Sequence, residues 1–136
     1  MKVSELSGVE LDYWVAKAVG YENVKYADNK EWVTIFPDDT KNDYVPGYSP
    51  SHSWREVGPL IEKYGISLLR EQSYIKAEKA SARLDGLKYY YEALIGYYNS
   101  YEGPEWDFLG DGETPLTAAC RCIVSSKYGD EVPDEG

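Results

Sequence analysis

The chain contains a single histidine, His52, and only two cysteines, Cys120 and Cys122. Zinc-type sites draw three or four ligands from His, Cys and carboxylates at regular spacings, and no second histidine exists to supply them. Neither a metal ion nor a cofactor is therefore expected. The two cysteines stand two apart on a segment that reads as helix. Their side chains then point in nearly opposite directions and cannot bridge each other. The sequence has no apolar run of about 20 residues, no leader-like start and no lipidation motif. A cytosolic chain with reduced thiols is the expectation.

Basic residues are scarce as well. The 14 Lys and Arg face 24 Asp and Glu, for a net charge of −10. A phosphate backbone or an anionic bilayer needs a cationic surface, so neither nucleic acid nor membrane is an expected partner. The carboxylates are scattered, apart from Asp38, Asp39 and Asp43 and the tail from Asp130 to Glu135, so they do not imitate a nucleic acid. Catalytic signatures are also missing: no Gly-rich phosphate loop, no nucleophile elbow, no paired-Cys motif. A Ser–His–acid set would have to use Ser51 and His52, neighbours whose side chains are not expected to face each other. We expect a protein that is not an enzyme.

What the chain has in quantity is tyrosine, 14 of 136 residues, with four tryptophans. Tyr buries a ring and keeps a wet hydroxyl, which suits half-buried strand positions and recognition surfaces alike. The length fits a single domain, residues 1–136, with an ordinary core.

The stretch from Asp111 to Pro133 reads as one punctuated helix. Thr114 suits the N-cap and Pro115 the first helical position, while Gly129 and Pro133 mark the stop. Leu116, Ala119, Cys120, Ile123 and Val124 form an apolar stripe of mostly small side chains, suited to close packing. Arg121 and Lys127 lie off it. The turn from Leu109 to Thr114 leads to open helix amides, where anions can bind, although Asp111 and Glu113 could satisfy those amides themselves.

Towards the N-terminus, Ser7 and Glu10 fit a capping box for a helix reaching about Val19, with Trp14 in its buried stripe. A short strand is expected within Tyr21–Tyr26, and a clearer one over Glu31–Phe36. Asp38 to Ser53 is a loop by its Pro, Gly, Asp and Ser content. Its end, Tyr48 to Trp54, gathers two aromatics, three hydroxyls and the histidine, although Ser53 and Glu56 could simply be a capping box for the next helix. Gly58-Pro59 should interrupt that helix, leaving an irregular turn and a shorter helix from Pro59. Strands are expected over Ile66–Arg70 and Tyr74–Glu78. Leu87–Tyr98 fits a helical stripe, with Asp85-Gly86 as a competing hairpin signal, and Glu102–Gly112 reads as loop.

Three stretches match a known layout in order and spacing: Thr114 to Pro133, Ser4 to Ala16, and Tyr48 to Trp54 followed by Gly58 to Glu62. Together they resemble the NinX-type phage proteins, a family of small domains. The resemblance implies a phage setting, and with it the host cytoplasm, but no activity. The chain departs from the pattern at Cys120, where Met is usual, at Thr117, where an aliphatic is usual, and at Ser125, where Ala is usual. Residues 76–109 follow no family pattern and read as a divergent, inserted segment.

The expected fold is α+β, a small, mostly antiparallel sheet packed against the N- and C-terminal helices. Candidate ligand-binding residues are Tyr48, Ser49, Ser51 and Trp54 from the mid-chain loop, Gly112 and Thr114 from the later turn, and Arg121, all about one cavity. Aromatic faces, hydroxyls and a bidentate cation suit a nucleotide-type small molecule. The reading is a phage accessory protein that sequesters a nucleotide-like host immune signal without turning it over. Its alternatives are an acidic module that blocks a basic host protein, and an enzyme that degrades the same ligand. A homodimer is a reasonable expectation for so small a chain.

Overall fold

The helix nearest the C-terminus is enclosed on nearly every side, and the other elements are arranged about it. A computed structural model describes residues 1–36, 46–74, 87–99 and 103–134. In chain order these form α1 (Gly8–Ala18), β1 (Val24–Tyr26), β2 (Val33–Ile35), α2 (Trp54–Tyr64), β3 (Ile66–Tyr74), β4 (Leu87–Asn99), β5 (Gly103–Gly112) and α3 (Pro115–Tyr128). Strands β1 and β2 make a two-stranded antiparallel ribbon; β3, β4 and β5 make a three-stranded antiparallel sheet with β4 in the centre. The fold is α+β with helices near both ends, as expected. The single sheet of the sequence reading is divided into two.

Helix α3 starts as read: the Thr114 hydroxyl accepts from the Thr117 amide at 3.1 Å, and Pro115 opens the helix. Burial goes further than one stripe. Ala118 and Cys122 are buried along with Leu116, Ala119, Cys120, Ile123 and Val124. Only the line Thr117, Arg121 and Ser125, spaced i, i+4, i+8, keeps partial exposure through the middle turns. One flank of α3 meets α1 and the other meets β4 and β5.

Contact with β5 is backbone to backbone. A Cβ added at Gly110 would fall against the Cys122 amide and 2.5 Å from the Ala118 carbonyl oxygen. One added at Gly112 would come within 2.9 Å of the Thr117 methyl group. These glycines occupy alternate positions of a strand, on the face turned to the helix. The expected loop over residues 102–112 is thus corrected: Gly110 and Gly112 serve close approach, not turning.

A second correction concerns Leu87–Tyr98, expected as helix and found as strand β4. The strand pairs from Tyr74↔Leu87 to Ile66↔Ile95 on one side and from Tyr91↔Gly112 to Asn99↔Gly103 on the other, so the β-forming run Tyr89–Tyr91 pairs with β3 and only its last residue also pairs with β5. A register shift between Ile95 and Gly96 marks a bulge against β5. The two strands expected over Ile66–Arg70 and from Tyr74 are one strand, β3; Asp85-Gly86 and Ile75–Glu78 lie outside the described residues.

Helix α1 buries Leu11 through Ala16. Trp14 is core, 5.3 Å from Tyr128 of α3, and Tyr13 stacks on Tyr26 of β1 at 4.6 Å. The expected capping box does not form, since the Ser7 side chain makes no cap bond. Helix α2 runs unbroken through Pro59 and ends at Gly65 in the left-handed region, φ 66°. The expected interruption fails because Gly58 has no Cβ to clash with the proline ring, and Arg55, whose carbonyl loses its donor, is exposed.

Gly110→Ala should cost about 3 kcal/mol or more, because helix backbone cannot yield, whereas Gly112→Ala should cost about 1 kcal/mol, because a threonine side chain can. Urea unfolding of both variants checks the order; equal, small losses would deny the close approach.

Candidate functional site

Four backbone amides, those of Tyr48, Ser49, Ser51 and His52, hold the mid-chain loop in place. The Tyr48 N–H donates to the Val33 carbonyl of β2 at 3.0 Å, and the His52 N–H closes a turn onto Ser49 at 3.0 Å. The Ser51 N–H donates to Oδ1 of Asp12 in α1 at 2.8 Å, and the Ser49 N–H donates to the Glu56 carboxylate of α2. Pro50 between them has no amide to satisfy. Two acids from two helices thus clamp one tight turn. Glu56 does not complete the capping box expected with Ser53, whose side chain makes no cap bond.

Asp12 and Ser51 are buried, at 3% and 4% exposure. Burial raises the Asp12 carboxyl above its ordinary 3.8, opposed by the Ser51 hydrogen bonds and the nearby His52. The Ser51 hydroxyl lies 2.8 Å from His52 Nδ1, so the two neighbouring side chains do face each other, contrary to expectation. The set is nonetheless not arranged as a hydrolytic triad. Asp12 grips the serine amide and not the imidazole, and the serine has almost no exposed surface for a substrate to reach. Burial likewise pushes Tyr48 up, with Tyr21, Cys120, Glu56 and Asp12 adding to it. Both thiols are raised by burial too, which keeps them protonated and unreactive.

The other residues read as ligand-binding lie elsewhere. Trp54 stands at the head of α2, 55% exposed. Gly112 rests on Thr117, and the Thr114 hydroxyl is occupied in capping α3. Arg121 reaches out of α3, donating from Nε to the Leu6 carbonyl at 3.0 Å and from a terminal nitrogen to the Asp111 carbonyl at 2.8 Å. Beside it opens a cavity of about 360 Å³. Lys2, Ser4 and Ser125 line it with Arg121, and Asp111, Asp130 and Glu131 supply carboxylates. Tyr48, Ser49, Ser51 and Trp54 are not among its lining residues. The loop and Arg121 are instead linked through α3, whose Cys120 side neighbours Asp12 and Tyr48.

A small antiparallel pairing of the two chain ends forms one wall. The Val3 amide donates to Asp130 at 2.8 Å, the Val132 amide donates to Met1 at 3.0 Å, and Lys2 bridges to Glu131. Sequence reasoning passed over Lys2, Ser4 and Ser125, because nothing local marks residues that converge only when the ends pair. It passed over Asp12 too. An acid inside the buried run Leu11 to Ala16 was the available sign.

The family model for NinX of bacteriophage P22 matches residues 2–127. The chain belongs to that family. No curated protein matches it. The matched span includes residues 76–109, the stretch that supplies β4 and most of β5. Two of this NinX-family chain's departures from the usual pattern fall beside the features described above: Ser125 lines the cavity, and Cys120 lies near Asp12 of the clamp.

Asp12 gives a signed pH dependence. Because folding favours its protonated form, its contribution is fullest below pH 3.8 and is lost as pH rises through the raised folded value. Wild type should therefore lose stability relative to Asp12→Asn as pH rises from 3.8 through the raised folded value, as read by urea unfolding. A gap moving the opposite way would mean that the Ser51 bonds outweigh burial. Asp12→Ala, which strands a buried amide, should cost about 1–3 kcal/mol.

Proposed function

We propose that this NinX-family chain is a non-catalytic phage accessory protein that binds a nucleotide-type small molecule beside Arg121. One observation supports the reading above others: a guanidinium fixed by two backbone carbonyls, with Lys2 next to it, at the wall of a cavity of about 360 Å³. Two of its five N–H donors are used in those bonds, which leaves a rigid fork for a phosphate. The volume falls within the ordinary range of small-molecule sites.

Mixed charge on the lining favours a particular kind of ligand. Lys2 and Arg121 would meet an anionic group, while Ser4, Ser125 and the Asp111, Asp130 and Glu131 carboxylates would accept or share hydroxyl protons. A phosphate joined to a ribose presents both. A simple inorganic anion would be repelled by the acids without compensation.

Holding a ligand intact has a consequence of its own. A protein that binds a signalling nucleotide below its working concentration, in excess over it, removes it by mass action. Sequestration of a host immune signal in the host cytoplasm is the role that this chemistry would serve.

Calorimetry against cyclic dinucleotides and ADP-ribose derivatives should find a stoichiometric binder, recovered unchanged after the protein is denatured. Ser125→Phe, which fills the cavity and spares both Arg121 bonds, should weaken it about tenfold or more. Trp54→Ala tests whether the exposed indole takes part. No heat with any nucleotide would end the proposal, and a hydrolysed product would replace it with an enzyme.

A further inference from the structure

One face of the three-stranded sheet is covered by α3; the opposite face carries leucines interleaved with carboxylates. Register identifies its members. Gly110 points at α3 and pairs with Ala93, which pairs with Leu68. The rows on either side of that one therefore point away from the helix: Ser67, Leu94 and Leu109, then Leu69, Glu92 and Asp111. Leu69 and Leu109 are each 43% exposed, Asp111 is exposed and Glu92 is half-buried. Neither row contains a Lys or Arg. Among the described residues, α3 is the only helix packed across β4 and β5.

Isolated surface leucines are ordinary. Here they stand in adjacent rows with buried Leu94 beside them, and two acids share the face.

We propose that this face docks a basic amphipathic segment of a partner protein. Its apolar side chains would lie on Leu69, Leu94 and Leu109, and its Lys or Arg side chains on Glu92 and Asp111. Charge decides the occupant. A second copy of the chain would press Glu92 and Asp111 against their own equivalents, desolvating like charges in a molecule of net charge −10. Nucleic acid and anionic lipid are disfavoured for the same reason. A basic segment instead gains long-range attraction on approach and pairs the acids on contact. Leu109 and Asp111 also border the Arg121 cavity, whereas Leu69 and Glu92 do not, so variants at Leu69 and Glu92 separate this inference from the ligand reading.

The test uses the full chain and a synthetic amphipathic peptide of about five helical turns, Leu on one face and Lys on the other. Fluorescence anisotropy should show binding that weakens with salt. Leu69→Ser should weaken it at least about fivefold, and Glu92→Gln should weaken it as well. Glu62→Gln, the same charge change on the exposed side of α2, should leave it unaltered. Leu69 is a surface residue, so the unfolding midpoint should hold, and Leu69→Ala gives a further variant if it does not. Absent binding, or an equal loss with Glu62→Gln, overturns the proposal. So does a dimer in sedimentation that Leu109→Ser dissolves, which would assign the face to a second copy.

Discussion

The architecture depends on one close approach, strand β5 lying against helix α3 with no side chain between them at Gly110. Helices usually meet sheets through interleaved side chains, about 10 Å apart. Here the strand comes inside that distance, and the small residues Ala118 and Cys122 are what the helix offers in return. Such proximity leaves α3 able to bury its opposite flank against α1 at the same time. A helix of 14 residues therefore serves as core for both the sheet and the helical layer.

From that central helix, polar functions emerge only along its one half-exposed line. Arg121 lies on it and fastens the turn after Val3–Glu5 to the edge of β5 through two carbonyls. A guanidinium used this way satisfies strand-edge acceptors that would otherwise need water. It is also held still, and a planar guanidinium fork fixed in place presents its remaining N–H groups in one direction. The same residue is thus a structural tie and the best-placed cation of the cavity.

How far the sequence could be read follows from where its signals are local. Helix α3 was legible because Thr114 and Pro115 open it with their own chemistry, and Gly65 marks the end of α2 as plainly. Strand β4 was not, because it is buried at both Ala93 and Leu94, on opposite faces, so the alternation that identifies a strand is missing. Strand β5 was mistaken for loop because glycines that admit a helix look like glycines that turn a chain. At the site, the loop from Tyr48 to Trp54 was visible by its composition. The acid that holds it was not, since Asp12 is 39 residues from Ser51 and only the fold brings them together. The residues around Arg121 depend on the pairing of Val3 with Asp130, a contact between opposite ends of the chain that no local pattern announces.

Cys120 and Cys122 are both without exposed surface, yet they look out from opposite flanks of α3, one towards the layer containing Asp12 and the other towards the Phe108 carbonyl of β5. A thiol reagent can reach either only when its own layer lifts away. The chain thus carries two internal reporters, and their relative labelling rates distinguish parting of the helical layer from peeling of the sheet.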